Sequence, residues 1–170
     1  MKNSFFCFLC FLSFGVSAQP KSKAVKAIFL ETISWTEAQK VLNPDQVVLI
    51  PLGAGSKEHG PHLPLSTDFL QAEAYKIGVA GQRKLIVTPT VNYGFYPAFI
   101  KFPGSTSLHF STSTDMIVQL VHYLAAYGPK RFYIINVGVS TTPTLHKAAE
   151  ILAEEGILLY YSDFMTVKVL

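Results

Sequence analysis

The densest group of chemically active side chains lies in residues 53–68, Gly-Ala-Gly-Ser-Lys-Glu-His-Gly-Pro-His-Leu-Pro-Leu-Ser-Thr-Asp. Two histidines, His59 and His62, and two carboxylates, Glu58 and Asp68, follow directly after an apolar stretch typical of a strand. Neutral imidazole nitrogens and carboxylate oxygens bind zinc, manganese and iron, and glycine and proline can hold such side chains in a loop. The pattern predicts a hydrolytic metal site whose ligands come from His59, His62, Glu58 and Asp68.

The same residues also allow a purely structural interpretation. His59 and His62 could be loop residues that make local hydrogen bonds, and Asp68 could lie in the first turn of a helix. Short motifs of this kind match by chance often enough that the residue pattern alone leaves both interpretations open.

Residues 59–68, His-Gly-Pro-His-Leu-Pro-Leu-Ser-Thr-Asp, resemble the signature of the creatininase (creatinine amidohydrolase) family, Glu-x-His-Gly-Pro-His-Leu-Pro-Leu-x-Thr-Asp. Residues 89–108 are similar to the family's Tyr-Gly segment and the Phe-Pro-Gly-Thr-x-Ser-Leu run that follows it. Residues 131–136 resemble the strand that leads into the family's second ligand loop. The resemblance covers the N-terminal two thirds of the family's length, in unbroken order.

This resemblance implies an enzyme that hydrolyses non-peptide C–N bonds of small cyclic or linear amides with two bridged divalent metals. Zinc or manganese is the expected metal, with iron as a further candidate. Asp68 matches the bridging aspartate and His59 the imidazole ligand, whereas His62 is expected to support the loop behind the ligands. Tyr93 and Asn136 are expected to lie behind the ligands or to line the substrate pocket.

Three departures from the family pattern make catalytic activity doubtful. Lys57 stands where the family has a ligand glutamate, and Glu58 is adjacent to His59 rather than two residues before it. Gly138 stands where the family has a metal-binding histidine. The family also continues beyond the point matching Leu170, with a His-Ala-x-x-x-Glu-Thr-Ser segment, which implies a C-terminally incomplete domain here. The alternative is therefore a non-catalytic creatininase-like domain, either a truncated relic or a binding or interaction module.

The N-terminus predicts export. Residues 1–18 contain a lysine at position 2, an apolar stretch over residues 5–16, and Val-Ser-Ala before Gln19, which together are typical of a signal peptide cleaved after Ala18. The apolar stretch is shorter than the roughly 20 residues that a membrane-spanning helix needs. We expect a periplasmic or secreted protein without a membrane span in the mature chain, with residues 19–27 flexible and residues 28–170 forming the domain.

Composition argues against several other classes of protein. Both cysteines, Cys7 and Cys10, lie in the leader, so the expected mature chain has no thiol to bind metal. The formal net charge is +3 and basic residues are scattered, which argues against a nucleic-acid partner. Aromatic residues cluster between positions 93 and 102 (Tyr93, Phe95, Tyr96, Phe99 and Phe102), where they could wall a substrate pocket or pack in a core or subunit interface.

Strand and helix patterns alternate along the chain. Strands are predicted at residues 46–51, 85–89, 132–137 and 157–161, and helices at residues 34–42, 66–80, 112–127 and 143–155. Such alternation favours a mostly parallel sheet with helices on both faces, an α/β three-layer αβα sandwich whose sites form at the carboxyl ends of strands. A four-stranded version would leave an edge and an apolar helix face uncovered, so we expect a homo-oligomer.

Overall fold

The computed structural model describes residues 27–163, which form one parallel five-stranded sheet with the strand order β1-β3-β2-β4-β5. The strands are β1 (Ile28–Phe29), β2 (Val47–Leu52), β3 (Ile86–Val87), β4 (Arg131–Asn136) and β5 (Leu158–Tyr161). The helices are α1 (Trp35–Val41), α2 (Thr67–Ala80), α3 (Phe110–Ala125) and α4 (Thr142–Glu154), with three short 3-10 turns between them. The predicted signal peptide lies outside the described residues.

The central strand, β2, has buried side chains on both faces, as its unbroken apolar run predicts. On one face, Val48 and Ile50 belong to a cluster with buried residues of α3 and α4, including Ile117 and Leu145. On the other face, Leu49 packs in a smaller cluster that includes Ala80, the last residue of α2. The predicted three-layer αβα sandwich is confirmed.

Each predicted element begins and ends within two residues of its position in the structure. The capping box predicted at the start of α1 is present, since the Ser34 hydroxyl accepts from the Glu37 N–H and the Glu37 carboxylate accepts from the Ser34 N–H. The two-residue strand β1 is an addition, too short to show any periodicity. No helix among the described residues is both long and apolar enough to cross a membrane.

The buried face of α3 coincides only in part with the large apolar residues that repeat at helical spacing. Of these, Met116 and Leu124 are partly buried against the core, whereas the fully buried residues of α3 are Ser113, Thr114, Ile117, Val121 and Ala125. Tyr123 and Tyr127 are 73% and 65% exposed. Small residues on the buried face allow α3 and α4 to pack closely, and the larger aromatic rings lie on the surface.

Part of the sheet is also uncovered on the α2 face. Tyr133 on β4 pairs in register with Tyr160 on β5, and the two are 38% and 64% exposed. Leu158, which points to the same face, is 48% exposed. Within residues 27–163, α2 is the only α-helix on this face, and it contacts β2 and β4.

Candidate functional site

Three loops meet at the carboxyl end of the sheet. They follow β2 (residues 53–66), β3 (residues 88–109) and β4 (residues 137–141). Gly53 allows the first loop to pass against α2, because a Cβ there would collide with the Asp68 carbonyl group and would lie 2.9 Å from the Ala72 Cβ. The Ser105 hydroxyl accepts from the Glu58 N–H at 3.0 Å, which ties the second loop to the first.

His59 and Asp68 lie side by side, as their motif spacing predicts. His59 Nε2 is 2.7 Å from Asp68 Oδ1, and the Asp68 side chain is 7% exposed. His59 Nδ1 is 2.7 Å from the Lys57 carbonyl oxygen. A carbonyl can only accept, so the Nδ1–H donates to it, and Nε2 is the ring nitrogen that faces the Asp68 carboxylate.

Lys57 completes this cluster with a buried positive charge. Its Nζ is 2.5 Å from Asp68 Oδ2, and its side chain is 7% exposed. The contact is that of an ion pair without the angles of a hydrogen bond. The ammonium also lies 4.8 Å from the Phe99 ring centre and 5.6 Å from that of Tyr96, within the range of cation–π attraction.

The turn after β4 brings Gly138 to the same side of Asp68 as Lys57, near Oδ2. A Cβ at Gly138 would lie 3.7 Å from Asp68 Oδ2 and 3.7 Å from the Tyr96 ring, in ordinary contact. Asn136 fixes this turn, because its Oδ1 accepts from the Gly138 N–H at 3.1 Å and from the Thr141 hydroxyl at 2.6 Å. Asn136 is 1% exposed, which places it behind the cluster.

The other predicted site residues do not join this cluster. The Glu58 carboxylate accepts from the Gly60 N–H at 2.5 Å, so the loop closes on itself there. Neighbouring side chains in an extended segment point in opposite directions, and no turn reverses this between Glu58 and His59. His62 is exposed, and Tyr93 is 53% exposed.

Tyr96, one of the aromatic residues that cluster between positions 93 and 102, forms a wall of the site. It is 1% exposed and its hydroxyl makes no hydrogen bond. Burial, and then the nearby Asp68 charge, raise the pKa of Tyr96 above its usual value of 10.0. Gly94 makes room for it, because a Cβ there would lie 2.8 Å from the Tyr96 hydroxyl oxygen.

The residues present fit a divalent metal on only one side of Asp68. His59 Nε2 and Asp68 Oδ1 are suitable donors and are oriented together. On the other side, Oδ2 faces an ammonium group and a glycine. Within residues 27–163, no group of three or more His, Cys, Asp or Glu side chains could hold a metal ion. The described residues therefore do not complete a two-metal centre.

Comparison with known proteins gives relatives with two different names, a creatinine amidohydrolase and mycofactocin precursor peptide peptidases. Creatinine amidohydrolase from Pseudomonas putida is 30% identical over 117 residues, which cover 65% of this chain and 45% of that protein. Mycofactocin precursor peptide peptidase from Mycolicibacterium smegmatis is 29% identical over 116 residues, covering 65% of this chain and 46% of that protein. The chain thus spans about half the length of these relatives.

Solved structures of creatininases have the same fold. A creatininase with manganese superposes with a TM-score of 0.74 at 23% identity, covering 81% of this chain and 58% of that one. A zinc–zinc variant of creatininase superposes with a TM-score of 0.68 at 25% identity, covering 82% and 59%. The family model described as creatinine amidohydrolase matches residues 31–169. With this match over most of its length, and with the parallel αβα sheet, the chain belongs to the creatininase family.

Proposed function

We propose that this chain is an amidohydrolase-type protein that acts on non-peptide C–N bonds of small cyclic or linear amides. The observation that carries the proposal is the His59–Asp68 pair, held 2.7 Å apart at the carboxyl end of β2. The proposal draws further support from the P. putida relative, whose name is creatinine amidohydrolase. We also propose export to the periplasm or beyond, on the basis of residues 1–18 alone.

The chemistry of such a site depends on a divalent metal, with zinc or manganese expected and iron a further candidate. When bound, it supplies a water whose pKa is lowered from about 15.7 to about 7, which can attack an amide carbonyl at neutral pH. In this chain, His59 and Asp68 would hold the metal. The Lys57 carbonyl keeps the His59 ring turned so that Nε2 faces Asp68. On the other side of the carboxylate, the Tyr96 and Phe99 rings lie against the Lys57 ammonium group.

A second candidate function is a non-catalytic domain that binds small amides without hydrolysing them. The observation that favours it is the Lys57–Asp68 ion pair, which neutralises the carboxylate that a catalytic metal would use. A buried pair of this kind resists separation, because either partner alone would leave a charge in a poorly solvated place.

An activity assay with matched variants tests the proposal. Purified protein is incubated with creatinine and with a set of linear amides, with and without zinc or manganese, and ring-opened or cleaved products are measured. We expect slow, metal-dependent turnover that His59→Ala and Asp68→Ala abolish. His62→Ala serves as the control, because His62 is exposed on the same loop, and it should retain turnover.

Two outcomes would contradict the hydrolase proposal. Turnover that survives both His59→Ala and Asp68→Ala would place the chemistry elsewhere. An absence of turnover across the whole set, together with amide binding that Asp68→Ala weakens, would establish the binding domain instead.

A further inference from the structure

We infer that the Lys57 ammonium group takes the place of one of two cations at Asp68, so that the site accepts at most one divalent metal, on the His59 side. The inference rests on the proposed function only in assuming that Asp68 is the centre of a cation site. It concerns which charge lies at each oxygen of that carboxylate.

The first support is the position of Lys57 itself. Its Nζ lies 2.5 Å from Asp68 Oδ2 with both side chains 7% exposed, so the positive charge is buried on that oxygen. Burying an ammonium is costly unless an opposite charge compensates it closely. Phe99 and Tyr96 present their rings to the same group at 4.8 and 5.6 Å, which adds favourable electrostatic contact.

The second support is that both altered ligand positions face the same oxygen. Lys57 replaces a glutamate of the family pattern, and Gly138 replaces a histidine. A Cβ at Gly138 would lie 3.7 Å from Oδ2, whereas the retained ligand, His59, contacts Oδ1. Both positions thus lie on the Oδ2 side of Asp68, whereas His59 is retained on the Oδ1 side.

The third support is a balance of charge. A divalent cation together with the glutamate that binds it has a net charge of one positive unit. A protonated lysine has the same charge. Replacing the glutamate and its metal by Lys57 therefore preserves the net charge that Asp68 faces at Oδ2. Because that oxygen is already compensated, a second cation there would meet repulsion from the ammonium at very short range.

The test is a measurement of metal stoichiometry, made on the full chain after loading with manganese or zinc and dialysis. We expect at most one equivalent in the unaltered protein. Lys57→Glu combined with Gly138→His should gain one further equivalent, because it restores two donors on the Oδ2 side. Lys84→Glu makes the same charge change at an exposed lysine before β3, at the opposite end of the sheet, and should gain none.

A single variant keeps the test valid if the double variant does not fold. Lys57→Met removes the ammonium without adding a donor, and it should show a larger rise in melting temperature on addition of manganese than the unaltered protein does. Two equivalents in the unaltered protein would overturn the inference, as would a folded double variant with no added metal. The stoichiometry is independent of turnover: an inactive protein with the expected metal counts would refute the proposed function and leave the inference standing.

Discussion

Replacing Asp68 by asparagine measures how much the buried ion pair contributes to stability. The substitution keeps the size of the side chain at position 68. It leaves the ammonium group of Lys57, whose side chain is only 7% exposed, without a compensating negative charge. Removing one partner of a buried pair typically costs about 3–5 kcal/mol. We expect the free energy of unfolding to fall by about this amount, with the cation–π contacts of Lys57 holding the loss toward the lower end.

Urea unfolding followed by circular dichroism measures the effect. With a slope of about 1–3 kcal/mol per molar urea, a loss of this size lowers the midpoint by more than about 1 M. The double variant Lys57→Met/Asp68→Asn should recover much of the stability, because it removes both charges. The exposed pair Lys147–Glu150 is the control, and Glu150→Gln should cost no more than about 1 kcal/mol.

A loss below about 1 kcal/mol in Asp68→Asn, equal to that of the surface control, would refute this reasoning. So would additivity of the two substitutions, since an ion pair requires that the second change costs less once the first has been made. Either result would mean that Lys57 reaches solvent and that the site is open to a second cation.

Three further predictions concern other parts of the chain. Burial, and to a smaller extent the nearby Asp68 carboxylate, raise the pKa of Tyr96, so the stability that neutral Tyr96 contributes is lost as pH rises above the ordinary value of 10.0. Tyr96→Phe should make the loss of stability at alkaline pH less steep. Because it removes a buried hydroxyl that makes no hydrogen bond, it should not destabilise the protein at pH 7. Exported material should begin at Gln19, and N-terminal sequencing that starts at Met1 would contradict the predicted cleavage. The uncovered face around Tyr133 and Tyr160 should drive self-association, which light scattering would detect and which lysine at both positions should reduce; a monodisperse unaltered monomer would count against it.

Most of the fold could be predicted from the sequence because it depends on local patterns. The unbroken apolar run of β2 and the serine and glutamate that cap α1 each specify their element without reference to the rest of the chain. The face of α3 could not be predicted in the same way. Its large apolar residues repeat at helical spacing, yet the structure buries Ser113 and Thr114 beside Ile117 and leaves Tyr123 exposed.

The site shows the same division between local pattern and tertiary contact. His59 and Asp68 were predicted from a motif whose spacing brings a loop back to the start of a helix. Glu58 was predicted as a ligand from its place beside His59 in the same loop, and in the structure its carboxylate accepts from the Gly60 N–H. The aromatic cluster between positions 93 and 102 indicated that its members could form a wall or pack in a core, but it could not single out Tyr96, whose place depends on Gly94.

Lys57 and Gly138 show most clearly what the sequence could not reveal. In the sequence they are separate losses, a glutamate missing in one motif and a histidine missing in another, and each alone suggests a damaged metal site. In the fold both lie at Asp68 Oδ2, where the lysine supplies a charge and the glycine leaves room beside it. Two losses that are separate along the chain therefore meet at one carboxylate oxygen, which is why we infer a single exchange there, of a cation and its ligands for the Lys57 ammonium.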